Sequence, residues 1–326
     1  MNKKLMALGL TAVLAVSMLA GCSAPAEEPQ AEETQTEAPA ENTEETTEEE
    51  TAEEETTEEE TTSEESSEEM TEEGMYEDGY YFAKEDEFSE KSGWKYTVML
   101  EVKDGKIVTV DWNGVSKDAG VSKEEASKSG AYGMVEKGGA QAPWFEQAEK
   151  AEAFLLETQD PTDIQYADDN YHTDAISGVS IGVSPMFTLA QKALEEGPKE
   201  MGPYKDGAYH AEEADFSEKS GWKSTVDITV LFGNIESVNW NAVHKDGGEG
   251  KKTVSMNGEY GMVENGGAQA PWHEQAAKAE AHLLATQDPT DIQYADDNYH
   301  TDAISGVSIG VSPLFTLAEE ALSTAK

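Results

Sequence analysis

The chain contains two near-copies of one sequence, and the second copy lies 128 residues after the first. The heptapeptide Asp-Ala-Ile-Ser-Gly-Val-Ser ends at Ser180 and again at Ser308, which gives the offset 308 − 180 = 128. The same offset relates Trp94 to Trp222 without a gap. Gapless copies must share one fold, so a structural or chemical prediction made for one copy applies to the other.

The charge of the chain is strongly one-sided. It has 68 acidic and 22 basic residues, for a net charge of −46. Such a charge repels nucleic acid, so we expect no nucleic-acid partner. Every basic residue is a lysine, so the bidentate guanidinium contact to phosphate is missing. A bound phosphate must then be held by backbone N–H groups, by lysine, or by a covalent bond.

The N-terminus has the features of a secretory signal. Lys3 and Lys4 precede an apolar stretch that is too short for a membrane span, and residues 1–21 read as the signal peptide. Leu19-Ala20-Gly21-Cys22 resembles the lipobox of bacterial lipoproteins, in which the cysteine is acylated after cleavage. Cys22 is the only cysteine, so acylation leaves no thiol for a disulfide or a metal cluster. We expect a lipid anchor at Cys22 on the extracellular face of the cell membrane; an ordinary cleaved signal with an incidental cysteine is the alternative.

Residues 22–74 follow the signal and are rich in Glu and Thr, with almost no large apolar side chains. Such a segment cannot bury enough surface to offset its ordering entropy. Repulsion between its glutamates keeps it extended. We expect a disordered acidic spacer, with an acidic docking tail as the alternative.

The two copies predict two domains, residues 75–196 and 204–326, joined by a short Gly- and Pro-containing segment. In the first domain, alternating apolar residues from Tyr96 to Val102, the turn Asp104-Gly105 and a return from Ile107 to Trp112 predict a β-hairpin. In the second, Gly233-Asn234 is the expected turn.

Two helices are expected after the hairpin of each copy. The first has Pro143 as its first residue and ends before Asp160-Pro161. The second has Ser184 as its N-cap and Pro185 in its first turn. The first helix carries an apolar stripe, Trp144, Ala148, Ala151 and Leu155, repeated in the second copy. Each domain is therefore expected to be α+β, with helices packed on an antiparallel sheet.

The copies diverge unevenly. Residues 158–185 and 286–313 are identical, whereas residues 121–124 and 249–252 differ at three of four positions. A fold constraint alone allows apolar exchanges such as Leu100 to Ile228. The identical run favours a functional constraint, and a recent duplication or gene conversion is the alternative.

The identical run contains the candidate site. Ser180 offers a hydroxyl that can accept an ester or act as a nucleophile. Gly178 allows another molecule to approach the backbone, and Asp174 offers a carboxylate for a metal or a base. The following helix start at Ser184 favours a nearby phosphate.

This motif resembles the attachment motif of the FMN-binding domain family, Asp-x-x-(Ser/Thr)-Gly-Ala-Thr. In that family a flavin transferase, using FAD and a divalent metal, esterifies the final hydroxyl with the FMN phosphate. Valine replaces the family alanine here, and serine replaces the commoner threonine. The matching residues are Asp174 and Asp302 (aspartate), Ser177 and Ser305 (hydroxyl), Gly178 and Gly306 (glycine), and Ser180 and Ser308 (flavin acceptor).

The lipobox, acidic spacer and paired domains together are similar to the pheromone-precursor flavin lipoproteins of Gram-positive extracellular electron transfer. The resemblance implies two covalent FMN cofactors and no catalytic or metal-binding residues in the chain itself. The implied partners are the flavin transferase, a membrane-side reductase or quinone-linked donor, and extracellular electron acceptors. The implied role is electron transfer rather than hydrolysis or group transfer.

Several alternatives to this interpretation stay open. The motif serines could simply cap a turn and a helix. A hydrolase would use Ser180 with His172 and Asp174, although residues so close in sequence seldom form a triad. His172 with Asp168 and Asp169 could bind a metal, or form a solvated loop.

The role of the aromatic residues is also open. Trp144 and Trp272 are expected in the core, while loop residues are better candidates to contact a flavin ring. A non-redox lipoprotein that binds or displays a ligand is the alternative function. The ring-contact candidates are Tyr132-Gly133-Met134, Gly138-Gly139-Ala140, Tyr260-Gly261-Met262 and Gly266-Gly267-Ala268.

Overall fold

The computed structural model describes residues 75–326, so the predicted signal peptide, Cys22 and the acidic spacer lie outside the described residues. The described part has two successive units, each with three strands followed by three helices, which confirms the expected α+β class. The first unit contains β1 (Gly79–Lys84), β2 (Trp94–Lys103), β3 (Lys106–Ser116), α1 (Lys123–Lys128), α2 (Trp144–Thr158) and α3 (Ser184–Glu196). The second contains β4 (Gly207–Glu212), β5 (Trp222–Leu231), β6 (Asn234–His244), α4 (Lys251–Met256), α5 (Trp272–Thr286) and α6 (Ser312–Leu322).

Each unit has a three-stranded antiparallel sheet with its strands in sequence order. The β2–β3 turn is formed by Asp104 (φ 50°) and Gly105 (φ 67°), as the sequence predicts for a tight hairpin turn. In the second unit the predicted turn is wrong by one residue. The turn residues there are Phe232 and Gly233, because Asn234 already pairs with Leu231 as the first residue of β6.

Two elements of the first unit were not predicted. β1 adds to the sheet beside β2, but it has only six residues, too few for a clear alternation. α1 is equally short, and a capping box fixes its start: the Ser122 hydroxyl accepts from the Glu125 N–H, and the Glu125 carboxylate accepts from the Ser122 N–H. The second unit has Gly250 at the corresponding N-cap, without a side-chain hydrogen bond.

The helix boundaries differ from the prediction by one residue at their starts. α2 starts at Trp144, and Pro143 is its N-cap in extended conformation instead of its first helical residue. α3 starts at Ser184, so the predicted N-cap Ser184 is wrong and Val183 holds that position. Val183 is fully buried, which fixes the entry of the chain into this helix.

One face of each sheet packs against helices to form the core. In the first unit α2 packs on β3, and α3 packs on β1 and β2. The Gln159 side chain joins the end of α2 to the sheet, because it accepts from the Ile107 N–H at 2.7 Å and donates to the Ile107 carbonyl at 3.0 Å. The predicted stripe is buried in both units: Trp144, Ala148, Ala151, Leu155, Trp272, Ala276, Ala279 and Leu283.

The two units contact each other through a buried carboxylate that faces two lysines and through an aromatic stack. The Glu236 carboxylate is 1% exposed and lies 2.7 Å from the Lys84 ammonium and 3.6 Å from that of Lys95. Phe82 and Phe232 stack with ring centroids 4.8 Å apart. The helices of the described residues 75–326 include none with the length and apolar character needed to cross a membrane.

Candidate functional site

The heptapeptide forms a loop between α2 and α3 that buries its apolar side and exposes its polar side. Thr173 and Ile176 are 5% and 7% exposed and fix the loop to the core. Asp174, Ser177 and Ser180 are exposed to solvent. The structure therefore brings the predicted site residues into one exposed loop, and the second unit repeats this pattern at Asp302, Ser305 and Ser308.

Hydrogen bonds within the loop define its shape. The Thr173 hydroxyl donates to the Gln165 carbonyl at 2.8 Å and accepts from the Ala175 N–H at 3.1 Å. The Val179 N–H donates to the Ile176 carbonyl at 3.4 Å. The three corresponding bonds of the second unit have the same lengths. The two loops therefore present their hydroxyls in the same way.

A buried glutamine on α2 holds the candidate acceptor serine. Gln147 is 1% exposed, and its Oε1 accepts from the Ser180 N–H at 2.7 Å and from the Ser180 hydroxyl at 3.1 Å. Its Nε2 donates to the Ala142 carbonyl at 2.9 Å, which fixes the orientation of the amide. Gln275 makes the same bonds to Ser308, at 2.7 Å and 3.2 Å. The serine oxygen is thus exposed on one side and oriented from the other.

The motif glycine is required by its backbone conformation. Gly178 has φ +77°, a conformation that other residues rarely adopt. A Cβ there would lie 2.6 Å from the Lys150 ammonium, which donates to the Gly178 carbonyl at 3.2 Å. Gly306 and Lys278 repeat this arrangement. In each loop a lysine ammonium therefore lies beside the carbonyl of the motif glycine. This glycine is two residues before the acceptor serine.

These residues fit an FMN phosphoester. The acceptor oxygen is accessible, the glycine leaves the backbone open, and lysine is the only basic side chain that this composition offers to a phosphate. Asp174 and Asp302 are exposed at the start of each loop. Within residues 75–326 no cluster of three or more His, Cys, Asp or Glu side chains is placed to hold a metal ion.

The hydrolase arrangement is not formed. The Ser180 hydroxyl donates to Gln147, whereas the His172 Nδ1 lies 2.6 Å from the Asp168 carboxylate. Both partners of the histidine contact are exposed, and this contact lowers the pKa of Asp168. In the part of the chain that the structure describes, His172 therefore serves the shape of its own loop and does not activate Ser180.

A second group of residues surrounds a buried lysine. Lys123 is 1% exposed, and its ammonium lies 4.1 to 5.4 Å from the ring centroids of Tyr132, Trp94, Tyr96 and Trp144. It donates to the Tyr132 hydroxyl at 2.9 Å. Burial lowers the pKa of Lys123 to about 7. In the second unit Lys251 lies over Tyr260 and Trp272, and burial lowers its pKa to about 8.

The two helix tryptophans and the predicted ring-contact segments lie in different environments. Trp144 and Trp272 are buried in the core, as expected. Tyr132, Gly133, Met134 and Gly138 line a cavity of about 680 Å³ in the first unit. Tyr260, Gly261 and Met262 line a cavity of about 340 Å³ in the second unit, and its lining corresponds to that of another first-unit cavity, of about 320 Å³.

Sequence reasoning missed the residues that position the site. Gln147, Lys150 and Lys123 were not predicted, although each recurs 128 residues later as Gln275, Lys278 and Lys251. The glutamine lies three residues after the start of the helix and beside its apolar stripe, and this position was a signal that its side chain faces the core. A buried lysine has no such signal, because only the tertiary structure surrounds it with aromatic rings.

The chain is similar to proteins of known structure over part of its length. A protein from Clostridium thermocellum, studied by solution NMR, is 61% identical, with a TM-score of 0.31, and the match covers 36% of this chain and 90% of that protein. A Clostridium perfringens protein of known crystal structure is 23% identical, with a TM-score of 0.30, and the match covers 37% of this chain and 88% of that protein. No model of a known family and no curated protein matches.

Proposed function

We propose that the chain is a surface-anchored flavoprotein carrying two covalent FMN groups, one on Ser180 and one on Ser308. It relays electrons from a membrane-side reductase or quinone-linked donor to extracellular acceptors, and a lipid on Cys22 anchors it outside the cell. The observation that carries the proposal is the duplicated loop. In each unit an exposed serine hydroxyl is held by a buried glutamine and lies two residues after a positive-φ glycine.

Attachment is a phosphoryl transfer carried out by another enzyme. The serine oxygen forms a bond to the FMN phosphorus of FAD, the bond from that phosphorus to AMP breaks, and AMP leaves. The proton of the serine hydroxyl passes to a base of the transferase. The chain contributes an acceptor that an enzyme can reach, since both serines are exposed.

The residues around the serine have distinct roles. Gln147 accepts the hydroxyl hydrogen and the backbone N–H of Ser180, which limits the positions open to the oxygen. Lys150 supplies a positive charge at the neighbouring carbonyl, which attenuates the repulsion between a phosphate and this acidic protein. Bound FMN supplies the electron-transfer chemistry.

The test is to map the modified residue. The chain is co-expressed with a flavin transferase and FAD, digested, and analysed by peptide mass spectrometry. Ser180→Ala should remove the flavin from the first loop alone, and Ser308→Ala from the second alone. Ser180→Thr, which restores the commoner family hydroxyl, should keep the first modification. A flavin found on any other residue would contradict the assignment.

A further inference from the structure

The first unit contains a cavity of about 680 Å³ whose size suits a small ligand. It lies beside the start of β2, the end of β3 and the segment that follows α1. Trp94 and Tyr132 form an aromatic wall, with their rings edge to face at 5.9 Å, and Met134 adds a polarizable thioether. These walls favour a flat ring system.

The charge of the cavity is opposite to that of the chain. Lys137 lines it, and the Lys123 ammonium lies behind its wall, 4.9 Å from the Trp94 ring centroid. The lining residues that the structure describes include no Asp or Glu, in a chain with 68 acidic residues. One lining cation, Lys137, and no lining carboxylate favour a ligand with negative charge.

The second unit is a natural control, because the same offset places different residues there. Ser116 is replaced by His244, whose ring packs edge to face on Trp222 with centroids 4.9 Å apart. Lys137 is replaced by Asn265, and the lining residues Val121 and Ala131 are replaced by Glu249 and Glu259. The second unit therefore has an extra ring against the corresponding tryptophan, one cation fewer and two acids more.

We propose that this cavity of the first unit binds a diffusible, planar aromatic anion. The proposal stands on the cavity and does not depend on covalent FMN at Ser180. A flavin ring tethered at Ser180 has a similar flat shape, and the experiment separates the two occupants.

The probe is anthraquinone sulfonate, titrated into the flavin-free chain and followed by isothermal calorimetry and tryptophan fluorescence. Trp94→Ala removes one wall, and Ser116→His brings in the ring of the second unit without removing an aromatic residue. Each should weaken binding by about tenfold or more, the scale of one stacking contact. Trp222→Ala is the matched control and should change the affinity by less than about twofold.

The charge requirement has its own variant. Lys137→Asn, which copies the second unit, should weaken binding of anthraquinone sulfonate more than binding of uncharged hydroxymethyl anthraquinone. Circular dichroism checks that each variant is folded. No binding to the wild-type chain, or an equal loss in Trp94→Ala and Trp222→Ala, would overturn the proposal.

A final comparison separates the occupants. Wild-type chain carrying flavin and flavin-treated Ser180→Ala are titrated with the same probe. Equal binding supports a diffusible ligand. Loss of binding in the flavin-carrying chain, with binding retained in Ser180→Ala, would assign the cavity to the tethered ring and overturn the diffusible ligand.

Discussion

Gln147 is the residue through which the fold is expected to control the candidate acceptor. Gln147→Ala removes three hydrogen bonds, two from Ser180 and one to the Ala142 carbonyl. At about 1 kcal/mol each, the expected loss in the free energy of unfolding of the first unit is about 3 kcal/mol. The glutamine is 1% exposed, so little of this loss is recovered by bonds to water.

Urea denaturation monitored by circular dichroism measures the change in stability. The matched control is Gln275→Ala, which removes the corresponding bonds from the second unit. A second measurement follows function: in chain co-expressed with a flavin transferase and FAD, peptide mass spectrometry gives the ratio of flavin at Ser180 to flavin at Ser308. Gln147→Ala should lower this ratio, and Gln275→Ala should raise it.

Two results would refute the reasoning about Gln147. A stability change below about 0.5 kcal/mol would be typical of a surface substitution and would show that the three bonds contribute little. An unchanged flavin ratio under conditions in which the first unit is folded would show that Gln147 does not present the hydroxyl.

Three further predictions concern charge, the contact between units and the motif glycine. Burial raises the pKa of the Glu152 carboxyl from 4.5 to about 8, so this group keeps its proton in the folded chain at pH values where the unfolded chain loses it. The free energy of unfolding should therefore fall as the pH rises from 4.5 to 8. Glu152→Gln should flatten this fall when urea denaturation is measured across the pH range. Glu236→Gln leaves two lysines without their carboxylate and should lower the free energy of unfolding by about 3 kcal/mol. Scanning calorimetry of this variant should show two separate unfolding transitions. A single, unchanged transition would contradict the role of this carboxylate between the units. Gly178→Ala should cost about 1 kcal/mol or more in urea denaturation because of its positive φ, and no loss would show that the loop relaxes freely.

Much of the fold could be predicted because it follows from local patterns. The hairpin residues alternate with period two, and the stripe from Trp144 to Leu155 has helical period, so both predictions were confirmed. β1 and α1 are too short for such patterns, and the one local signal for α1, the capping-box pair Ser122 and Glu125, was missed. Val183 is the N-cap of α3 and is buried in the tertiary structure, and the general preference for Ser at N-caps carries no information about such burial.

Only the part of the candidate site that lies within one short sequence segment could be predicted. Ser180 and Gly178 are in one loop, so their proximity follows from the heptapeptide itself. Gln147 is 33 residues before Ser180, and its contact depends on how α2 packs on the sheet. The Lys123 side chain likewise lies over aromatic rings from distant segments, because the contact brings together residues of β2, α1 and α2.

The central claim is that two FMN groups are attached to this chain, and the intact mass of the secreted protein tests it most directly. The chain is co-expressed with a flavin transferase and FAD, and visible absorbance is recorded with the mass. A yellow protein with two FMN-sized mass increments, one lost in Ser180→Ala and both lost when Ser308→Ala is added, is the expected result. A colourless, unmodified chain, or an increment that survives the double substitution, would contradict the account.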